Sequence, residues 1–154
     1  MIKMKKDPKK WLKVLIVLTL ALIWGHSLMS PEQSSEESNW FLQQIRPFLE
    51  FFLGKGNVTE HLVRKMAHFC EFALLGGELL AYFSLSYGNG AKLRCLSLAV
   101  AHGLFAALTD ESVQLLSSRG SQVQDVWLDT AGAVFGAGAM LLLMTRLAEK
   151  KRKT

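Results

Sequence analysis

Glu71, Glu78, Asp110, Glu111 and Asp129 stand in segments apolar enough to cross a bilayer. A charged side chain at bilayer depth costs about 2.5–3.5 kcal/mol on insertion scales, so it persists with a partner or a task. Around 100° per residue, Arg64, His68, Glu71 and Glu78 fall on one narrow helical stripe, with Lys65 to one side. Asp110 and Gln114 share a second stripe with Gly103 and Ala107, and Glu111 lies beside it. Asp125 and Asp129 share a third with Gly132 and Gly136. Those glycines form a G-x-x-x-G, which lets helices approach closely and places both aspartates on a packed face.

Depth follows from a rise of 1.5 Å per residue. With the membrane boundary near Lys65, Leu115 and Asp125, Glu71 lies roughly 9 Å down, Asp110 and Glu111 roughly 6–8 Å, and Asp129 roughly 6 Å. Three helices therefore present acids at one level. Arg64, Lys65 and Arg119 ring the mouth, with His26 and Ser27 near the end of the first helix. Glu78 sits deeper, near mid-bilayer.

The bland account of these charges is an ion-pair network: Arg64 or Lys65 with Glu71, and Arg119 with Asp125. Such pairing makes charges tolerable without any chemistry. It does not exhaust the acids, because Glu71, Asp110, Glu111, Asp125 and Asp129 outnumber Arg64, Lys65 and Arg119. The surplus is protonated, hydrated or bound to a ligand. His68 and Glu71, spaced i, i+3, can also complete a carboxylate-rich metal site with Asp110, Glu111 or Asp129. The nearby Arg64 and Lys65 argue instead for an anion, so no metal and no cofactor is expected.

The elements that hold these residues are helices. The 154-residue chain is half hydrophobic, and its apolar residues come in blocks. A bilayer core of roughly 30 Å needs about 20 helical residues. Spans are expected at about 12–29, 58–86, 93–116 and 126–147. A lysine-rich start followed by an apolar run also describes a signal peptide. This run is long for one, and Trp24-Gly25-His26-Ser27 is a poor cleavage site, so a retained helix is expected. Asn57 and Glu60 have capping-box spacing for the second span. Phe41, Ile45, Phe48 and Phe52 recur at helical spacing within about 40–53, too short and polar to span. An interfacial helix fits that segment, bent or divided at Pro47. The expected fold is an all-α integral membrane four-helix bundle, one domain, with this short helix in the first extracytoplasmic loop.

The net charge of +5 does not imply nucleic acid. Its lysines and arginines crowd the two ends and the turn at Lys92 and Arg94, while the loop after the first span is acidic. That is a positive-inside pattern, with both termini cytoplasmic and residues 30–60 outside. The basic ends meet anionic lipid. Cys70 and Cys95 fall in spans at depths about 20 Å apart, too far for a disulfide, and read as packing residues.

Several ordered pieces of this sequence resemble the VanZ-like family. Val63-Arg64-Lys65-Met66-Ala67-His68-Phe69-Cys70-Glu71-Phe72-Ala73-Leu74-Leu75-Gly76 looks like its second-helix signature. Thr109-Asp110-Glu111-Ser112-Val113-Gln114, then Arg119, then Asp125-Val126-Trp127-Leu128-Asp129-Thr130-Ala131-Gly132 resemble the remainder in order. Trp24-Gly25-His26-Ser27 with Pro31 looks like the first-helix end. Ser118 stands where many relatives have a Pro-Gly turn, and Asp129 where relatives often have Asn. The resemblance implies a small multi-pass protein of the bacterial cell envelope, in a family associated with low-level resistance to the glycopeptide teicoplanin.

Two function classes follow. In the first, an outward-facing polar pocket binds the headgroup of an envelope lipid or a glycopeptide-related ligand. Arg64, Lys65 and Arg119 hold an anionic group, and His68, Glu71, Asp110, Glu111, Gln114, Asp125 and Asp129 complete the lining. In the second, an intramembrane enzyme acts on a lipid-linked phosphate or sugar, with Glu111 or His68 as acid or base. No nucleophile stands at a diagnostic spacing, which ranks this class lower. A proton-coupled transporter using Glu78 as a relay is a third class, for which four helices are few unless the chain forms an oligomer.

Overall fold

The structure, a computed structural model, describes residues 7–116 and 122–153. The chain is helical throughout these segments: α1 (Pro8–Ser27), α2 (Pro31–Leu53), α3 (Glu60–Tyr87), α4 (Lys92–Leu116) and α5 (Val123–Lys153), with one 3-10 turn at Asn89–Ala91 before α4. Helices α1, α3, α4 and α5 are each long and apolar enough to cross a membrane. They form an all-α bundle in which α3 touches every other helix and packs most extensively on α5.

Small residues make that contact possible. A Cβ on Gly132 would lie 2.5 Å from the Phe69 carbonyl oxygen. Side chains at Gly136 and Gly76 would collide with the backbones of Ala73 and Ala133 respectively. The two helix axes therefore meet almost backbone to backbone. Gly103 brings α4 onto the same place, since a Cβ there would sit 2.6 Å from that of Ala133. Below this contact Phe72, Leu75, Leu80, Ala99, Ala107 and Ala137 form the core, closed on the α1 side by Ile23. Outward, Val17, Leu18, Leu93, Phe105, Phe135 and Leu142 are exposed. Apolar residues in such number on all sides suit a lipid environment rather than water.

Several boundaries differ from the sequence expectation. α1 starts at Pro8 rather than 12, because Asp7 caps it, accepting from Lys9 N at 3.0 Å, and Pro8 fits the first helical position. α3 is capped by Thr59, whose hydroxyl accepts from Leu62 N at 3.2 Å, rather than by Asn57. α5 runs to Lys153, past the expected end at 147. α2 begins nine residues before the expected 40, since Ser30 and Gln33 form a reciprocal capping box with Pro31 at the first turn. The Glu32 carboxyl there is held below its ordinary range by its own backbone N–H and by the Ser30 hydroxyl.

Pro47 does not divide α2, which continues through it. A proline costs one backbone hydrogen bond, and the packing of Leu42, Ile45 and Leu49 against Val58 and Val63 spans the gap. The opposite face exposes Trp40, Phe41, Phe48, Phe51 and Phe52. Ile45, placed with the phenylalanines by spacing alone, belongs to the buried side. Both cysteines are free. Cys95 is buried in the core, whereas Cys70 is exposed rather than packed.

Candidate functional site

The site lies at the α2 end of the bundle, where α1 and α4 end and α3 and α5 begin. At its centre Asp110 is fully buried and Asp129 is 2 % exposed. Donor atoms of His68, Asp110 and Asp129 all lie within 4.8 Å of one another, one residue from each of α3, α4 and α5. The glycine contacts explain the convergence. Gly132, one turn along α5 from Asp129, rests on the carbonyl of Phe69, the neighbour of His68.

Ser27 and Gln114 both donate to Asp110. The Ser27 hydroxyl donates to Oδ1 at 2.7 Å, and the Gln114 amide donates to Oδ2 at 2.8 Å. Glu111, also buried, accepts from the backbone N–H of Gln122 at 3.0 Å, which ties α4 to the approach of α5. Glu71 meets His26 Nδ1 at 2.8 Å, and its other oxygen lies 3.7 Å from His68 Nδ1. His26 also approaches Glu37 of α2 at 3.7 Å.

These contacts correct the expected ion pairs. Glu71 pairs with His26, not with Arg64 or Lys65. Lys65 reaches Asp125 at 2.6 Å. Arg64 turns up its own helix, to Glu60 at 3.6 Å and His61 at 3.1 Å. Both cations stand nearly two turns from Glu71 along α3, and the carboxylates of Glu60 and Asp125 lie closer to them. Arg119 falls outside the described residues, and with it the expected pair to Asp125. Asp129 has no hydrogen bond or ion pair to any described residue.

Two cavities flank this cluster. The first, about 210 Å³, is polar and is lined by Arg64, Lys65, His68, Gln114, Asp125 and Asp129, with Ser35 of α2 over it. The second, about 260 Å³, lies between α2 and α3 and is mostly apolar, lined by Trp40, Phe41, Val63 and Ala67 beside His26 and Glu71. Arg64 and His68 line both. Glu78 stands apart, where Thr19 of α1 donates to its two oxygens at 3.2 and 3.0 Å.

Spacing alone did not bring in Ser34, Ser35 and Glu37. The signal was present, because Ser30-Pro31-Glu32-Gln33 is a capping box and starts α2 early enough to lay these residues over the site. His61 and Gln122 also line the polar cavity and had no sequence cue. The VanZ/LLP1 family matches residues 12–144. No curated protein and no solved structure matches the chain.

Proposed function

The chain belongs to the VanZ/LLP1 family, and from that premise we propose that it binds an envelope lipid with an anionic headgroup at the α2 end of its bundle. One observation carries this reading: Arg64 and His68 form a shared wall between a polar and an apolar cavity. An amphiphile suits that pair. Its headgroup occupies the polar cavity, and the start of its hydrocarbon lies against Trp40, Phe41 and Val63. Arg64 is the anion's first contact. Its guanidinium is partly exposed, and its partner Glu60 is itself partly exposed and 3.6 Å away. A bidentate, charge-assisted contact to phosphate replaces that weak pair at little cost.

The basic residues at the opposite end support an orientation with this pocket outside the cell membrane and both termini in the cytoplasm. α2 then lies along the outer leaflet, with its exposed aromatics among the headgroups. A contribution to glycopeptide resistance, teicoplanin included, would act through this site, by occupying or withholding a lipid-borne ligand.

The test is native mass spectrometry of the chain purified from its membrane, with bound lipids identified. The expected result is a retained anionic lipid in the wild type and a loss of at least tenfold in occupancy in Arg64→Gln. Equal occupancy in the two would remove the headgroup reading. Glycopeptide susceptibility of cells carrying the same pair then reports whether the binding matters for resistance.

A further inference from the structure

Asp129 is buried, lines the polar cavity and has no partner among the described residues, although its neighbours are acids. Burying a carboxylate without compensation is costly. Asp110 approaches it from α4 and His68 from α3, with donor atoms within 4.8 Å of one another. Donors on a common ion at about 2.0–2.4 Å each lie at most about 4–4.8 Å apart. Three side chains from three helices thus meet the size requirement of one ion.

We infer that His68, Asp110 and Asp129 bind a divalent transition-metal ion, Mn²⁺ or Zn²⁺, in the floor of the polar cavity.

The donor set selects this class. One imidazole with two carboxylates is harder than a thiolate site and softer than an all-oxygen calcium cage. The positions around the donors suit the role. Glu71 Oε2 lies 3.7 Å from His68 Nδ1, beyond hydrogen-bond range but close enough to favour positive charge beside the ring. Ser27 and Gln114 donate to Asp110 and fix its plane. The cations that argued against a metal are turned elsewhere, Lys65 to Asp125 and Arg64 to Glu60. The cavity above leaves room for water or a ligand oxygen to complete the coordination, as in sites that keep an open position.

The ion does not depend on the lipid reading. Arg64→Gln removes a headgroup contact and leaves all three donors in place, so it should lose lipid and keep metal.

The experiment uses the full chain in nanodiscs of zwitterionic lipid, treated with chelator, desalted, and titrated with Mn²⁺ alone and Zn²⁺ alone. Bound metal per chain is measured by elemental analysis, and thermal unfolding is followed with and without each ion. The wild type should take up one ion per chain, and its Tm should rise with ion concentration, since a ligand of the folded state stabilises it. Asp129→Asn and His68→Gln should each weaken binding at least tenfold and flatten the Tm response. Glu149→Gln, exposed at the far end of α5, should bind as the wild type does. If one variant fails to fold, the other and the wild-type stoichiometry still decide. Uptake of neither ion by the wild type overturns the inference, as does equal binding by a folded Asp129→Asn or His68→Gln.

Discussion

Glu71 is a carboxylate whose side chain is 15 % exposed, and its close partner is a histidine from another helix. Removing His26 strands that charge against α3, and a mostly buried group left without its hydrogen bond costs about 1–3 kcal/mol. His26 is 39 % exposed, so solvent moderates the loss, and the lower half of that range is expected. His26→Leu should therefore lower thermal stability in detergent, and adding Glu71→Leu should recover much of the loss. Arg64→Met combined with Glu71→Leu should show no such recovery, because Arg64 engages Glu60 instead. Coupling between Arg64 and Glu71 in that double-mutant cycle would contradict the pairing described here.

At the level of elements, the α3–α5 contact positions the cluster. Its glycines allow approach but supply no attraction of their own. Gly136→Ala pushes a methyl group into the backbone of Ala73, and overpacking a tight contact costs about 1–3 kcal/mol. Gly138→Ala faces open space on the same helix and should be near neutral or slightly stabilising. Thermal unfolding of the two variants is the measurement, and equal Tm values would mean that α5 is free to shift. The same displacement should move Asp129 away from His68, so Gly136→Ala should weaken any ligand held between them.

For the whole molecule, orientation is the open quantity that charge alone predicts. A cysteine at Glu36 on exposed α2 should react with an impermeant thiol reagent in intact cells. One at Lys150 should react only after permeabilisation. Both variants are built on a chain with Cys70 and Cys95 replaced by serine, since Cys70 is itself exposed. Labelling of Lys150→Cys alone in intact cells would turn the bundle over and place the cavities on the cytoplasmic side.

The four spans were legible because a bilayer asks for a long apolar run, and composition alone reveals one. The stripes of His68, Asp110 and Asp129 were legible because helical periodicity assigns faces, and the G-x-x-x-G at Gly132 and Gly136 marked the face that packs. Partners were not legible in the same way. Whether Glu71 meets Arg64 or His26 depends on the relative height and rotation of α1 and α3, to which periodicity within either helix is blind. The reach of α2 was half legible: its aromatics declared a helix and its Ser30–Gln33 capping box marks the start, but only packing on Val58 and Val63 laid its serines over the site. Asp129 shows the division most clearly. Its sequence position declares a buried acid, but its separation from every described cation is a property of three helices meeting.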